Sequence, residues 1–377
     1  MSGPSAPSFF RRYLLPGFVF QSVVIAGGYG TGRELVEFFL TRGPLGGLLA
    51  MAVSTAIWSA VCMASFEFAR TFRLYDYRSF FKVLLGPAWV LFEIAYVLLL
   101  LLVLAVVAAA SGQILLETFG LPYAVGVVAV MAAIGALVFG GSKVIEGALA
   151  GWSFVLYGVY AVFFVWCFSR FGGDMTAALG SGEATSGWAV AGVRYAAYNL
   201  AVIPAVLFTL RHHTSRRETL ASGALAGVIG IVPGLLFYLA SLSLYPAILE
   251  APVPANALLE ALGSRAFQIA FQVVLFGTLI ETGTGLIHAV NERIAHLHEE
   301  RGAEMAPWLR PAVAVGFLLV GTALSRFGLI DLIARGYGTL TWVFLAVFVV
   351  PVLTLGVWRI RTAVGGAGVA REAAGAA

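Results

Sequence analysis

The sequence predicts an all-α integral membrane protein of about ten transmembrane helices, arranged as a 5+5 inverted repeat with the first and sixth helices broken. Three observations carry that prediction. Of 377 residues, 60% are hydrophobic and only 11% charged, against about 25% charge in an ordinary soluble domain. The apolar residues recur in separate stretches of about 20, each long enough to cross roughly 30 Å of hydrocarbon as a helix. Runs such as 97–110 do not alternate, as the strands of about 10 residues in a closed barrel would.

The spans fall at roughly 13–41, 44–70, 85–116, 122–140, 143–170, 187–211, 217–246, 265–294, 307–326 and 335–360. A polar stretch rich in Gly, Ala and Ser, 172–187, reads as a central loop. The connection 246–263 holds Pro252 and Pro254 and reads as a small surface helix. The Gly/Ala-rich residues 362–377 read as a disordered tail. The whole chain, 1–377, is then a single transmembrane domain, with a first repeat at 13–171 and a second at 187–361. Five spans on each side of the central loop must run in opposite senses, the inverted-repeat arrangement of many secondary transporters.

Orientation follows from Lys and Arg in the short loops. With the N-terminus inside, 16 of the 23 basic residues are cytoplasmic and 6 external, while Arg194 stays within a span. Both termini are therefore expected on the cytoplasmic side of an inner membrane. Arg11 and Arg12 before an apolar run suggest a signal peptide, or more weakly a twin-arginine signal. No small-residue cleavage site ends a short apolar region there and many spans follow, so the segment reads as the first helix. The net charge of +4 is spread between spans and carries no nucleic-acid signal. Cys62 and Cys167 lie in apolar stretches and read as small hydrophobes, with no disulfide or metal-type spacing.

The first span contains Gly27, Gly28, Tyr29, Gly30, Thr31 and Gly32, followed at once by Arg33 and Glu34. Each glycine costs a helix about 1 kcal/mol relative to alanine. Unwound backbone at membrane depth must face protein or a watery cavity. Its carbonyls can hold a cation, and the N–H groups of the following half-helix can hold an anionic group. The plainer alternative is close helix packing through small residues. The sixth span has a matching interruption, where Tyr195, Tyr198 and Asn199 precede Pro204. Proline removes a backbone donor and disfavours helix at the residue before it. A simple proline kink is the alternative here.

The eighth span places Glu281, Thr284, His288 and Asn291 at i, i+3, i+7 and i+10, one polar stripe with Thr282 beside it. In hydrocarbon that stripe faces the bundle interior. Glu281 either carries a proton or is ionised against a cation or Arg, and Thr282 and Thr284 can complete an oxygen cage for Na⁺. Interhelical hydrogen bonding is the structural alternative, and His288 belongs to this network rather than to a metal site. Lys143 and Glu146 open the fifth span one turn apart. They read as an interfacial ion pair, or as a charge standing in for sodium. Arg33, Glu34 and Asp331 near the outer face are gating candidates, with Arg33 and Asp331 as a closing salt bridge.

Together Gly27–Glu34 with Phe38 and Phe39, Tyr198-Asn199-Leu200, and the run from Glu281 through His288 and Asn291 to Ile294 resemble the YkvI-type membrane proteins, a branch of the amino acid–polyamine–organocation superfamily with the LeuT-like fold. The resemblance spans the whole bundle. It implies a central site made by the broken first and sixth helices, with the third and eighth beside them. It also implies a sodium ion held by first-span carbonyls and eighth-span hydroxyls, for which Gly27, Thr282 and Thr284 are the local candidates. Glu281 departs from that hydroxyl-only pattern and leaves proton coupling open.

The expected function is secondary active transport of a small organic solute, an amino acid or related carboxylate, coupled to Na⁺ or H⁺ by alternating access. The solute is expected near Gly27–Gly32, Tyr195, Tyr198 and Asn199, and the coupling ion near Gly27, Glu281, Thr282, Thr284 and His288. No other cofactor is expected; the partners are the solute and the bilayer. A transporter-like receptor without flux is the alternative, as in spore-germinant receptor subunits. An intramembrane enzyme ranks below both, because the sequence holds no HExxH and no nucleophile beside a base.

Overall fold

The computed structural model describes residues 8–25, 30–140, 152–299, 302 and 305–363. Seven of its helices are long and apolar enough to cross a membrane, and Tyr123–Phe139 is a shorter apolar eighth. The interrupted first and sixth helices complete ten crossings. In chain order the main elements are α1 (Leu15–Val24), α2 (Arg33–Phe38), α3 (Pro44–Phe72), α4 (Tyr77–Leu85), α5 (Trp89–Phe119), α6 (Tyr123–Gly140) and α7 (Trp152–Gly180). They continue with α8 (Trp188–Asn199), α9 (Arg216–Ser241), α10 (Pro254–Leu262), α11 (Arg265–Glu299), α12 (Leu309–Leu324) and α13 (Leu329–Ala363). Large apolar side chains stand exposed around the bundle, such as Leu91 at 56%, Val165 at 69% and Leu319 at 65%. Surface of that kind suits hydrocarbon rather than water, and the chain is a multi-pass membrane protein.

Local chemistry sets the boundaries. Gly43 at φ 81° lets the chain turn into Pro44, which opens α3 at a position where its missing N–H is harmless. Asp76 caps α4 by accepting from the Ser79 N–H at 2.8 Å. Ser215 and Glu218 form a reciprocal capping box at the start of α9. The amphipathic α4 buries Phe80, Phe81 and Leu84. Its Phe81 ring stacks on Phe92 at 3.5 Å between centroids and meets Phe348 at 5.2 Å.

The tightest seam runs between α3 and α9. A methyl placed on Gly223 would lie 2.6 Å from the Met63 Cα, and one on Gly227 would lie 2.6 Å from the Ser59 nitrogen. Glycine there allows backbone-to-backbone approach, as in small-residue membrane interfaces. Beside the seam, Gln21 of α1 donates to the Ile229 carbonyl at 2.6 Å. Phe20 meets the edge of Trp58 at 5.3 Å, and the Trp58 indole donates to the Ala196 carbonyl of α8 at 3.2 Å.

Two expectations need correction. The polar stretch 172–187 is not all loop: α7 continues to Gly180, because Asp174, Thr176 and the alanines are compatible with an exposed helix end. The segment 246–263 does form a helix, α10, but its Ala255, Asn256, Leu258 and Leu259 are buried. It folds over one end of the bundle as a lid instead of lying on the surface. The residues expected as a Lys143–Glu146 pair, and 364–377 of the expected disordered tail, lie outside the described residues.

Candidate functional site

Among the described residues the α-helix of the first span ends at Val24, with Ile25 at φ −75° and ψ 58°; Gly30 and Thr31 are helical again, Gly32 is a turn, and α2 begins at Arg33. Gly27, Gly28 and Tyr29 lie outside the described residues. Gly32 has φ 78°, a left-handed conformation that L side chains rarely adopt, and the Phe237 ring fills the space a Cβ would need. Gly30 accepts from the Tyr160 hydroxyl of α7 at 3.2 Å and lies against Leu275 of α11. Thr31 is fully buried, and its hydroxyl accepts from the Arg33 N–H at 3.3 Å.

The sixth span breaks in a corresponding way. The α-helix stops at Asn199 and the chain continues as 3-10 turns over Leu200–Ala205 and Leu207–His212, with Pro204 inside the first. Asn199 donates back to the Tyr195 carbonyl at 3.0 Å, so its amide occupies a backbone acceptor where the helix loses its regular ladder.

The two breaks meet through α2 and α8. The Tyr198 hydroxyl donates to Glu34 at 2.5 Å, and both side chains are buried. Tyr337 of α13 stacks on Tyr198 at 4.8 Å with rings 16° apart, and Phe38 covers it at 5.5 Å. Tyr195 lies within ring-contact distance of Phe39, Trp58 and Phe38, at 4.6, 5.5 and 5.7 Å. Glu34, expected with the gate, is therefore bonded to Tyr198 in the packing of α2, α8 and α13.

Arg33 turns the other way, toward the lid. One guanidinium nitrogen donates to the Leu249 and Ala251 carbonyls at 2.8 and 3.1 Å, and another pairs with Glu37 at 3.1 Å. Asp331 pairs with Arg335 at 3.3 Å, both exposed. The expected Arg33–Asp331 bridge is thus not the pair made here. Each partner finds an opposite charge one helical turn away on its own helix, and the lid carbonyls take up the rest of Arg33.

On α11, Thr284 and Asn291 are buried whereas Glu281, Thr282 and His288 are half-buried. The Thr284 hydroxyl and the Asn291 side-chain carbonyl have no hydrogen-bond partner among the described residues. A buried polar group in that condition costs about 1–3 kcal/mol. The stripe is therefore present with two polar groups unpaired. Among the described residues no cluster of three His, Cys, Asp or Glu side chains is placed to hold a metal ion.

Three polar clusters have no counterpart in the motifs read from sequence. At the end carrying the termini, buried Glu67 accepts twice from Arg70, at 3.0 and 2.6 Å, and also from the Thr219 hydroxyl. Beside it Arg12 pairs with Glu218 at 3.2 Å, and His213 donates to the Arg12 carbonyl at 2.5 Å. Burial holds His213 below the usual imidazole range, opposed by that carbonyl bond. Arg293 lies over the Tyr77 and Tyr96 rings at 3.9 and 4.7 Å and pairs with Glu93 at 3.1 Å. At the lid end, Asn256 donates to Glu117 and Glu260 at 3.2 Å each, and accepts from Gln268 and Gln272 at 2.6 and 3.1 Å. A charge inside an apolar span, as at Glu67, was the available signal. Arg70 is its neighbour one turn along the same helix, whereas Thr219 comes from α9, which no local pattern reveals.

Comparison with known proteins agrees with this architecture. No family model matches the chain. MhsT, in its crystal structure in complex with L-phenylalanine, superposes with a TM-score of 0.58 over 96% of this chain and 99% of its own, at 14% identity. The fold is LeuT-like. A Na⁺-coupled sialic acid symporter aligns more loosely, with a TM-score of 0.49 over 89% of this chain and 86% of its own, at 12% identity. In sequence, the chain is similar to the uncharacterized membrane protein YkvI of Bacillus subtilis (strain 168), 24% identical over 280 residues, or 74% of this chain and 79% of that protein.

Proposed function

We propose that this protein is a secondary active transporter of a small organic solute, an amino acid or related carboxylate, working by alternating access in the inner membrane with both termini cytoplasmic. The observation that carries the reading is the meeting of two interrupted helices, with Tyr198 of one bonded to Glu34 of the other. Interrupted helices at the centre of a bundle present N–H and C=O groups that a solute and its coupling ion can use. The solute binds beside Thr31, Tyr195, Tyr198 and Asn199, together with the glycines of the first span from Gly27 to Gly32 and Tyr29. Arg33 and the lid close the external side.

The coupling ion, Na⁺ or H⁺, is assigned to the interface of the first and eighth helices, at Glu281, Thr282, Thr284 and His288 with backbone near Gly27. The fully buried hydroxyl of Thr284 has no hydrogen-bond partner among the described residues, which supports that assignment: an oxygen so placed can hold an ion. The two repeats, 13–171 and 187–361, supply the elements that rock against each other, and the polar network at the terminus end closes the cytoplasmic side.

Uptake into liposomes tests the proposal. Purified protein is loaded under an inward Na⁺ or proton gradient with labelled amino acids, L-phenylalanine first because MhsT is described in complex with it. Concentrative uptake that collapses with the gradient is the expected result. Failure to move any amino acid or related small acid under either gradient would sink the reading.

A further inference from the structure

Among the described residues Glu34 is the acidic side chain buried where α2, α8 and α13 meet, and its surroundings supply few means of carrying a charge. Its residue is 5% exposed, as is that of Tyr198. Among the described residues the Tyr198 hydroxyl is its hydrogen-bond donor, and no salt bridge reaches it. A buried carboxylate ordinarily gathers several donors or an opposite charge, since desolvation without them is expensive.

The nearby charges are committed elsewhere. Arg33, on the same helix, spends its guanidinium on Leu249, Ala251 and Glu37. Arg194 of α8 lies over the Phe38 ring at 5.6 Å and reaches the Ala334 carbonyl at 3.5 Å. On α13, Arg335 and Asp331 are paired and exposed. Glu250, before the lid helix, is exposed. The other titratable groups facing the carboxyl are the phenols of Tyr195, Tyr198 and Tyr337.

Space selects the size of any partner. The rings of Phe38, Tyr195, Tyr198 and Tyr337 lie at 4.8 to 5.7 Å between centroids, which is contact distance. In this closed arrangement the rings leave no room between them for a solute body, which can enter only as they part. The oxygen donors for a small cation there are the Glu34 carboxyl and the Tyr198 hydroxyl.

We propose that Glu34 is a binding site for one small monovalent cation, Na⁺ or the proton, taken up as α2, α8 and α13 close together and released as they part. It shares no residue with the cation site assigned on α11. The inference rests on the transport reading for its purpose, but its chemistry is independent of the solute. It makes closure of the central site conditional on neutralising one carboxyl.

Thermal unfolding of the full chain in lipid nanodiscs tests it with the cation alone. One arm titrates NaCl against choline chloride at fixed pH; the other varies pH in sodium-free choline buffer. A ligand that binds only the folded state raises the midpoint by mass action. Wild type is expected to respond in one arm, which identifies the cation, and Glu34→Gln to lose that response while Glu281→Gln keeps it. Tyr198→Phe removes the donor that favours the ionised carboxyl, so it is expected to tighten binding if the cation is the proton and to weaken it, by the loss of one oxygen ligand, if the cation is Na⁺. If Glu34→Gln does not fold, the carboxylate infrared bands of wild type, followed through both titrations, must change on adding the cation. A wild type indifferent to both cations, a Glu34→Gln that responds fully, or unchanged carboxylate bands would overturn the proposal. Solute flux with no Glu34-dependent response defeats this inference alone; a Glu34-dependent response without flux of any solute defeats the transport reading alone.

Discussion

Replacing Arg33 with methionine keeps the length of the stem and removes the hold of α2 on the lid. Arg33 makes two bonds from a charged donor to the Leu249 and Ala251 carbonyls, at 2.8 and 3.1 Å. Each contributes about 1.5 kcal/mol at the low end of the range for charged donors. The pair with Glu37, whose side chain is 27% exposed, adds little because solvent screens it. The sum is about 3 kcal/mol, and at about 1.4 kcal/mol per factor of ten it should make lid opening roughly 100-fold more frequent. Amide hydrogen exchange over 247–262 in nanodiscs reads that opening directly. Arg335→Met, which removes an exposed pair, serves as the control and should leave the lid unchanged. Exchange in Arg33→Met within about threefold of wild type would refute the reasoning, because less than 1 kcal/mol would then hold the lid.

Three further outcomes follow from the same coordinates. Asn256→Leu strips buried Gln268 and Gln272 of their acceptor, and should lower stability by about 2–4 kcal/mol as measured by thermal unfolding; a loss under about 1 kcal/mol would mean that the cluster re-pairs without it. Thr284→Val removes a buried hydroxyl with no partner among the described residues, so its unfolding midpoint should hold or rise slightly while any response to the ion assigned to α11 disappears. A large drop in the midpoint would assign that hydroxyl a structural bond instead. His213 is held low by burial and so binds fewer protons folded than unfolded. Its contribution to stability is whole above about pH 6.5 and is lost as pH falls below that value. His213→Gln, which keeps an N–H donor, should flatten this part of the profile, and an unchanged acid limb would rule the residue out.

The breaks themselves were legible in the sequence because their causes are local. Four glycines in the first span and Pro204 in the sixth weaken a helix whatever surrounds them, and the chain departs from α-helix beside both. Asn199 was expected to answer the freed backbone groups, but it bonds back to the Tyr195 carbonyl inside α8, not to the Leu200 carbonyl that Pro204 leaves without its helical donor. The α11 stripe was legible in part: helical periodicity fixes which side chains share a face, but how deeply each is buried depends on neighbours, and only Thr284 and Asn291 are fully enclosed. Pairings across the fold were not legible. Arg33 had several candidate acceptors in sequence, and the lid carbonyls that it takes belong to a turn more than 200 residues away. Backbone acceptors of this kind leave no mark in residue identity. The lid was misplaced for a related reason, since Pro252 and Pro254 announce a turn but say nothing about what the following helix covers.

The glycine seam between α3 and α9 has a mechanical consequence. Two helices in backbone contact along Gly223 and Gly227, with Ser59 bonded across to the Ala224 carbonyl at 2.8 Å, have little room to slide past each other. They bend and tilt together as a doubled beam, with α1 and α8 attached to it through Gln21, Phe20 and Trp58. Beside this beam, the α-helix of the sixth span gives way to 3-10 turns after Asn199. A single methyl added to the seam would act as a wedge, changing the angle of the beam at both ends at once.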